Sequence, residues 1–287
     1  IGPRINAGGR VGKCSHGANL LLNIDPKEVF KIASELNEFN KEKKLLEKDL
    51  LNKILNEKID NSKPVITLSG ENWHEGIIGI IASRIKDKFN KPTIIISLKN
   101  ELGKASARSI YGFDIGSIII SATQAGILLK GGGHKMAGGF SIKKDNIEKF
   151  KDFINKKFEK NKIQNDYERK IYFDGIILPS AVNLEFFKKI DNLSPFGSGN
   201  SEPKFLVENL KFINSTIVGD KHIKSILIAK DGTSIKTVAF NSVETNISQY
   251  LLQKKHKFFN ILGKLSLNEW KGKKNVEFII DDISVNK

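Results

Sequence analysis

The 287-residue sequence is poor in cysteine, in acidic residues and in long apolar runs, and each shortage closes off a class of protein. The single cysteine, Cys14, rules out an internal disulfide and any cysteine-cluster zinc site. No run of about 18 apolar residues exists, so no membrane-spanning helix is expected. The opening IGPRINAGGR has no basic leader, apolar core and small-residue cleavage site, so it does not read as a signal peptide. The first residue is Ile1 rather than Met, and the expectation is a chain that lacks its natural N-terminus. The five histidines, His16, His74, His134, His222 and His256, form no HH, HxH or HxxxH pair, and Asp281–Asp282 stands alone in a late strand. Hydrolysis by two metals needs several Asp and His ligands converging, so no metal ligands are expected in this chain. There is also no P-loop and no Gly-x-Ser-x-Gly elbow.

What the sequence has is positive charge. Lys and Arg number 47 against 32 Asp and Glu, for a net charge of +15 and a pI of about 9.6. The excess points to a polyanion: nucleic acid, an acidic membrane surface or a nucleotide. Compositional drift in a Lys/Asn/Ile-rich proteome would also raise the pI. Residues 1–63 carry 12 basic and 9 acidic residues, residues 64–160 carry 16 and 9, and residues 161–287 carry 19 and 14, so the excess is spread along the chain. At 39% hydrophobic and 28% charged, the chain is not disordered in the main. Its length suits about two domains on a prior of ~150 residues each, with a core that needs no disulfide or metal staple.

From Pro26 the apolar spacing is helical: Val29, Ile32, Leu36 and Phe39, then Leu46, Leu50 and Ile54. Asp25 caps the start and Pro26 suits the first turn. A helix of about 32 residues would span about 48 Å, long enough to connect two bodies; two shorter helices broken near Asn40 are the alternative. After Pro64 strands alternate with helices, which implies a layered sheet. KNKIQNDYERK (160–170) reads as a linker. Beyond it strands dominate, with one short helix near Ser242–Leu251, a pattern that suits a small barrel such as an OB-fold.

Six segments carry possible chemistry. In GPRINAGGR (2–10) the arginines can fork onto phosphate, Asn6 can donate to phosphate or base, and the glycines make the backbone flexible; a basic, frayed terminus is the plain alternative. ENWHEGIIGIIASR (71–84) is a strand–loop–helix unit in which Trp73 could stack on a base and His74 could touch a phosphate, unless the histidine is structural. In KASARSIYGFD (104–114), Ser106 and Arg108 alternate along a strand and point to one face, as a phosphate clamp or as an ordinary exposed face. GGGHKMAGGF (131–140) is the most specific segment. Glycine at this density weakens regular structure, so Gly131, Gly132 and Gly133 read as a loop wrapped against a ligand, with His134 beside phosphate oxygens. LSPFGSGNSEPKF (193–205) reads as a shaped junction. In LGKLSLNEWKGKKNVEFIIDDI (262–283), Trp270 with Lys271, Lys273 and Lys274 sits at a hairpin turn. That grouping offers stacking plus phosphate attraction, as single-strand binding requires, or else a bland basic tip.

Taken in order, GPRINAGGR, NWHEGIIGIIASR, ASARSIYGFD, GGGHKMAGGF, SPFGSGN-EP and LNEWKGKKNVEFIIDDI resemble the C-terminal part of the RecJ family of single-strand-specific 5′ to 3′ DNA exonucleases in the DHH/DHHA1 superfamily. The GGGHxxAGG pattern alone would indicate a DHHA1-type domain; SPFGxGN and NEW narrow it to RecJ. Gly8, where alanine is more usual, and Ser201, where proline is, are mild departures. The resemblance implies a tail of the DHH domain at 1–25, a connecting helix at 26–62, an α/β DHHA1 domain at 63–160, a linker and junction at 161–204 and a β-rich OB-fold at 205–287.

The resemblance also implies roles. Asn6 and Arg10 contact the DNA strand near a cleft, Ser106 and Arg108 hold the 5′-terminal phosphate, His134 faces the scissile phosphate, and the OB-fold grips downstream single strand. The two Mn2+ or Mg2+ ions of the reaction sit in a DHH domain that this sequence does not contain. The implied setting is bacterial, cytoplasmic and monomeric, in DNA repair and recombination, with single-strand-binding protein and a repair helicase as partners and no membrane. The rivals are a phosphoesterase acting on short oligonucleotides or cyclic dinucleotides, and a non-catalytic single-strand-binding protein.

Overall fold

The computed structural model describes residues 1–57, 59–160, 171–252, 258–270 and 272–285. The expected linker at 160–170 falls almost wholly outside them, as do Lys271 and the Trp270 side chain. The chain divides into two compact units, Ile1–Arg169 and Lys170–Lys287. Among the described residues no helix is long and apolar enough to cross a membrane.

The first unit opens with three helices, α1 (Gly2–Val11), α2 (Ser15–Leu22) and α3 (Pro26–Asn56). The glycine-rich start, expected to be flexible, is helical for a packing reason. Ala7 and Gly8 are buried, and a Cβ on Gly8 would lie 2.8 Å from the Leu36 side chain of α3, so the helix packs directly against α3 at this point. Helix α3 runs unbroken through Asn40. Its first turn is fixed by Pro26 and by the Asp25 carboxylate, which accepts from the Lys27 N–H at 3.0 Å.

A five-stranded sheet follows, made of β1 (Ile66–Glu71), β2 (Thr93–Lys99), β3 (Leu102–Arg108), β4 (Lys130–His134) and β5 (Ala137–Lys143) in the order β1-β2-β3-β5-β4. Only β1 and β2 pair in parallel; the other neighbours are antiparallel. Helix α4 (Glu75–Phe89) lies on one face, where Ile77, Ile81 and Ile85 pack with Ile95 of β2 and with Leu50 and Ile54 of α3. Helices α5 (Ile115–Gln124) and α6 (Ile147–Lys160) cover the other, around Ile94, Ile96, Ala105, Ala107, Phe113 and Phe150. Phe113 and Phe150 are fully buried, and side chains of that kind contribute roughly 1.5–3 kcal/mol each. The alternation of β3 therefore sends Ala105 and Ala107 into the α5–α6 core, and Lys104, Ser106 and Arg108 to the α4 face.

The second unit is a closed barrel of β7 (Phe205–Val218), β8 (His222–Ile228), β9 (Ser234–Ala239), β10 (Phe259–Trp270) and β11 (Lys273–Val285), with the short β6 (Gly175–Ile176) added beside β7. Closure comes from β10 pairing with β7, and β9 runs parallel to β11. Helix α8 (Asn246–Leu252) stands between β9 and β10. Val207, Leu210, Ile223, Leu227, Phe259, Ile261 and Phe278 fill the interior. The segment IYFDGIIL, expected to form a full strand, pairs only through Gly175 and Ile176, because Pro179 begins a single 3-10 turn three residues later. The expected junction also contains helix α7 (Leu184–Asp191), whose Phe186 and Phe187 pack against the barrel core.

Candidate nucleic-acid interface

Three elements of the first unit converge on the C-terminal half of β3. Helix α1 brings Asn6 and Arg10, α4 brings Gly76 and Gly79, and β3 brings Ser106 and Arg108. Together they line an open cavity of about 440 Å³. The glycines of α4 make the approach possible. A Cβ on Gly76 would sit 2.1 Å from the Arg10 carbonyl oxygen, and one on Gly79 would sit 3.0 Å from both the Ser106 hydroxyl and an Arg108 terminal nitrogen. Gly9 also lines the cavity and meets nothing within 4 Å.

The electrostatics are one-sided. Arg10 donates through Nη1 to the Gly76 carbonyl at 3.0 Å, while its buried Nε has no partner in the structure. Arg108 donates through Nη1 to the Ala107 carbonyl at 2.8 Å and to the Ser106 hydroxyl at 3.1 Å. Burial, and then the positive charge of Arg10, push the Arg108 pKa below its ordinary value. Among the described residues neither guanidinium has a carboxylate partner. The acid on the rim, Glu75, is engaged by Lys104 at 2.6 Å. Two cations held near each other in a half-buried hollow are relieved by an anion. Arg4, by contrast, is turned away to the Asn37 side chain on α3 at 3.0 Å.

GGGH is not a loop. Lys130–His134 is the edge strand β4, joined to β5 by Lys135 and Met136. Its glycines divide by face. A Cβ on Gly131 would meet Ile119 at 2.7 Å, one on Gly138 would meet Ile119 at 2.4 Å, and one on Gly133 would lie 2.4 Å from the Ala137 carbonyl oxygen. Gly116 of α5 would itself meet the His134 carbonyl oxygen at 2.8 Å. These glycines let α5 and the hairpin pack at close range. Gly132 meets nothing within 4 Å, and its cross-strand partner Gly139 meets only a backbone oxygen at 3.4 Å.

The register joins this bare pair to the pocket. Ser106, Gly139 and Gly132 are successive cross-strand partners, as are Arg108, Ala137 and His134. The α4 face of the sheet thus carries a side-chain-free lane running from Ser106, with the exposed His134 two strands, or roughly 10 Å, from Arg108. Gly139 was not singled out by sequence, although it lies in the second glycine pair of the same motif.

The remaining candidates lie elsewhere. Trp73 packs over Gly70, where a Cβ would touch its ring at 2.1 Å, and its indole nitrogen is buried. His74 caps α4, with Nδ1 accepting from the Gly76 N–H at 3.1 Å; this local role was not legible from its position alone. In the second unit Lys273 is exposed and pairs with Trp270 across the turn containing Gly272, which has φ of +74°. No three His, Cys, Asp or Glu side chains converge among the described residues, so none of these is assigned as a metal ligand. The arrangement can bind an anion and orient it.

Residues 62–160 match the DHHA1 domain family and residues 173–282 the RecJ OB domain family. The chain is 28% identical to the single-stranded-DNA-specific exonuclease RecJ of Bacillus subtilis over 100% of this chain and 36% of that protein. It is 30% identical to the Haemophilus influenzae RecJ over 99% of this chain and 50% of that protein. The chain therefore spans half or less of these relatives. Crystal structures of Thermus thermophilus RecJ in complex with Mn2+ and with Mg2+ superpose on 99% of this chain with a TM-score of 0.80 and 25% identity, covering 40% and 42% of those chains.

Proposed function

From the premise that the chain belongs to the RecJ family, corresponding to its C-terminal part, we propose that it is the strand-binding half of a single-stranded-DNA-specific 5′ to 3′ exonuclease, and that its first unit seats the 5′-terminal phosphate. The observation that carries this is the pair of guanidiniums, Arg10 and Arg108, converging with the Ser106 hydroxyl on one cavity with no carboxylate partner among the described residues. A terminal phosphate carries about −1.5 to −2 charge near neutral pH, against −1 for an internal diester, so two adjacent cations favour a chain end over a chain interior. Asn6 donates to the strand beside it. The Gly132–Gly139 lane leaves room for the sugar–phosphate to cross toward His134, which lies near the scissile phosphate. Preorganised donors of this kind position the strand and stabilise charge.

Divalent metals would activate the attacking water in such a reaction, held by residues outside the described ones. No step is assigned to a metal here, because the residues described do not form a metal-binding set. The OB unit holds strand downstream of the end. That second unit weighs against a phosphoesterase for dinucleotides, which needs no downstream grip. Single-strand-binding protein, a repair helicase, a monomeric state and a bacterial cytoplasmic setting belong to the same reading.

The test is a fluorescence-anisotropy titration of the chain with one oligonucleotide carrying either a 5′-phosphate or a 5′-hydroxyl, and with its duplex. The expected order is phosphate over hydroxyl over duplex, with affinity falling steeply with salt. Equal affinity for the phosphorylated and hydroxyl ends would remove the end-binding assignment.

A further inference from the structure

The barrel carries a second cavity that the reading above does not use. It is about 200 Å³ and opens on the outer face of β7, β8, β9 and β11. Pairing sets Asn214 opposite Ile226 and Ile226 opposite Lys236. Phe278 pairs with Thr237, which brings Glu277 beside Lys236. Thr216 opposite Lys224 forms the next row. In the middle of this set an apolar side chain, Ile226, is 38% exposed. At its edge the Glu277 side chain is only 15% exposed, and among the described residues its ion-pair partner, Lys224, stands off at 3.7 Å. A carboxylate that has lost most of its water and has only a loose ion pair is short of donors.

We infer that this cavity takes one unstacked guanine of a bound single strand, giving the barrel a base preference. The inference rests on the reading that the second unit contacts the strand. An apolar side chain exposed between two lysines offers the ring a face to lie on, while the lysines attract the flanking phosphates. A cavity of about 150 Å³ suffices for a benzene-sized ring, so the space is adequate for a base with one side open. The edge chemistry selects which base. Guanine alone presents two adjacent donors, N1–H and N2–H, followed by the acceptor O6. The two oxygens of Glu277 accept both donors, and a lysine ammonium on Lys224 or Lys236 donates to O6. Adenine, cytosine and thymine each offer one donor group on that edge and would leave one carboxylate oxygen unpaired. Strands in the positions of β8 and β9 form the ligand-bearing face of OB-folds in general, but a base-selective subsite is a separate property from strand binding.

The experiment compares a 5′-phosphorylated thymine oligonucleotide with the same oligonucleotide carrying a single guanine placed at successive positions. A good bidentate base contact supports about tenfold discrimination, so one guanine position is expected to bind about tenfold more tightly. Glu277→Gln is expected to erase that gain, bringing the guanine-containing and all-thymine strands to equal affinity, since glutamine offers one acceptor and one donor. Ile226→Lys, which blocks the platform, should erase it too. Equal affinity at every guanine position, or a preference that survives Glu277→Gln, overturns the inference while leaving strand binding intact. Failure of the chain to bind either oligonucleotide overturns both this inference and the reading on which it rests.

Discussion

Replacing Arg108 by alanine is the sharpest perturbation of the phosphate seat. The guanidinium spends one terminal nitrogen on the Ala107 carbonyl and the Ser106 hydroxyl. Its second terminal nitrogen lies beside Gly79, where a Cβ would approach it to 3.0 Å. A hydrogen bond between charged partners contributes about 1.5–3 kcal/mol, and 1.4 kcal/mol is a tenfold change in affinity. The full loss would be roughly 10- to 100-fold. Removing Arg108 also relieves its repulsion with Arg10, the second cause of its lowered pKa, so the net loss belongs at the lower end, about tenfold. The quantity to measure is the ratio of affinities for 5′-phosphate and 5′-hydroxyl ends, because general electrostatics cancel in it. Arg108→Ala should bring this ratio close to one and lower the salt slope by about one. Arg108→Lys, which keeps the charge but loses the planar fork, should recover only part of it. The side chain is half-buried rather than core, so thermal unfolding should barely move. An unchanged phosphate-to-hydroxyl ratio in a folded Arg108→Ala protein would refute the argument outright.

Gly76→Ala would drive a methyl against the Arg10 carbonyl; it should separate α1 from α4 and weaken end binding although no ligand-facing side chain changes, which Arg10 chemical shifts and the same titration would report. Gly133→Ala meets backbone at 2.4 Å and should destabilise by about 1–3 kcal/mol in urea denaturation. Gly132→Ala, with open space around it, should be neutral or stabilising by up to about 1 kcal/mol while impairing strand binding; similar stability effects at the two positions would refute the division of the motif. Asp114 caps α5 by accepting from the Ser117 N–H at 3.0 Å, which holds its carboxyl below the ordinary 3.8. Asp114→Ala should cost about 1 kcal/mol at neutral pH. Because the folded pKa is depressed, that contribution is present above the ordinary value and lost as pH falls through the lowered one, so wild type and variant should converge in acid; a constant gap there would exclude the carboxylate as its source.

Periodic segments were legible in the sequence because their signals are local. The stripe Ile77, Ile78, Ile81 and Ile85 specified α4, and Ser106 and Arg108 shared a face by simple alternation. The barrel pattern was readable from strand density alone. What could not be read was structure decided by a partner distant in sequence. Helix α1 looked like a flexible glycine-rich end because its reason for folding, Leu36 against Gly8, lies 28 residues away. The GGGH segment looked like a loop for the same reason: three consecutive glycines oppose strand formation unless a helix must pass close by, and Gly116 and Ile119 of α5 supply that condition. His74 was open to a phosphate contact or a structural role, and the helix cap formed by its Nδ1 depends on where the local fold places the Gly76 N–H.

The same dependence on distant partners governs the charge. A net charge of +15 points to a polyanion or to compositional drift, and does not say where an anion would bind. Many of the cations are already answered. Lys104 and Lys144 pair with Glu75 and Glu71, and Arg84 pairs with Glu47. Exposed pairs of this sort add little stability, but they cancel the field that would attract an anion. Arg10 and Arg108 differ in that they contact backbone carbonyls or a hydroxyl, which position a guanidinium without neutralising it. Glycines at 76 and 79 then hold the neighbouring backbone close, so that water is partly excluded and the charges act through a lower dielectric. The proposed site is therefore marked by which cations are positioned yet left unneutralised, and among the described residues Arg10 and Arg108 meet both conditions in this cavity.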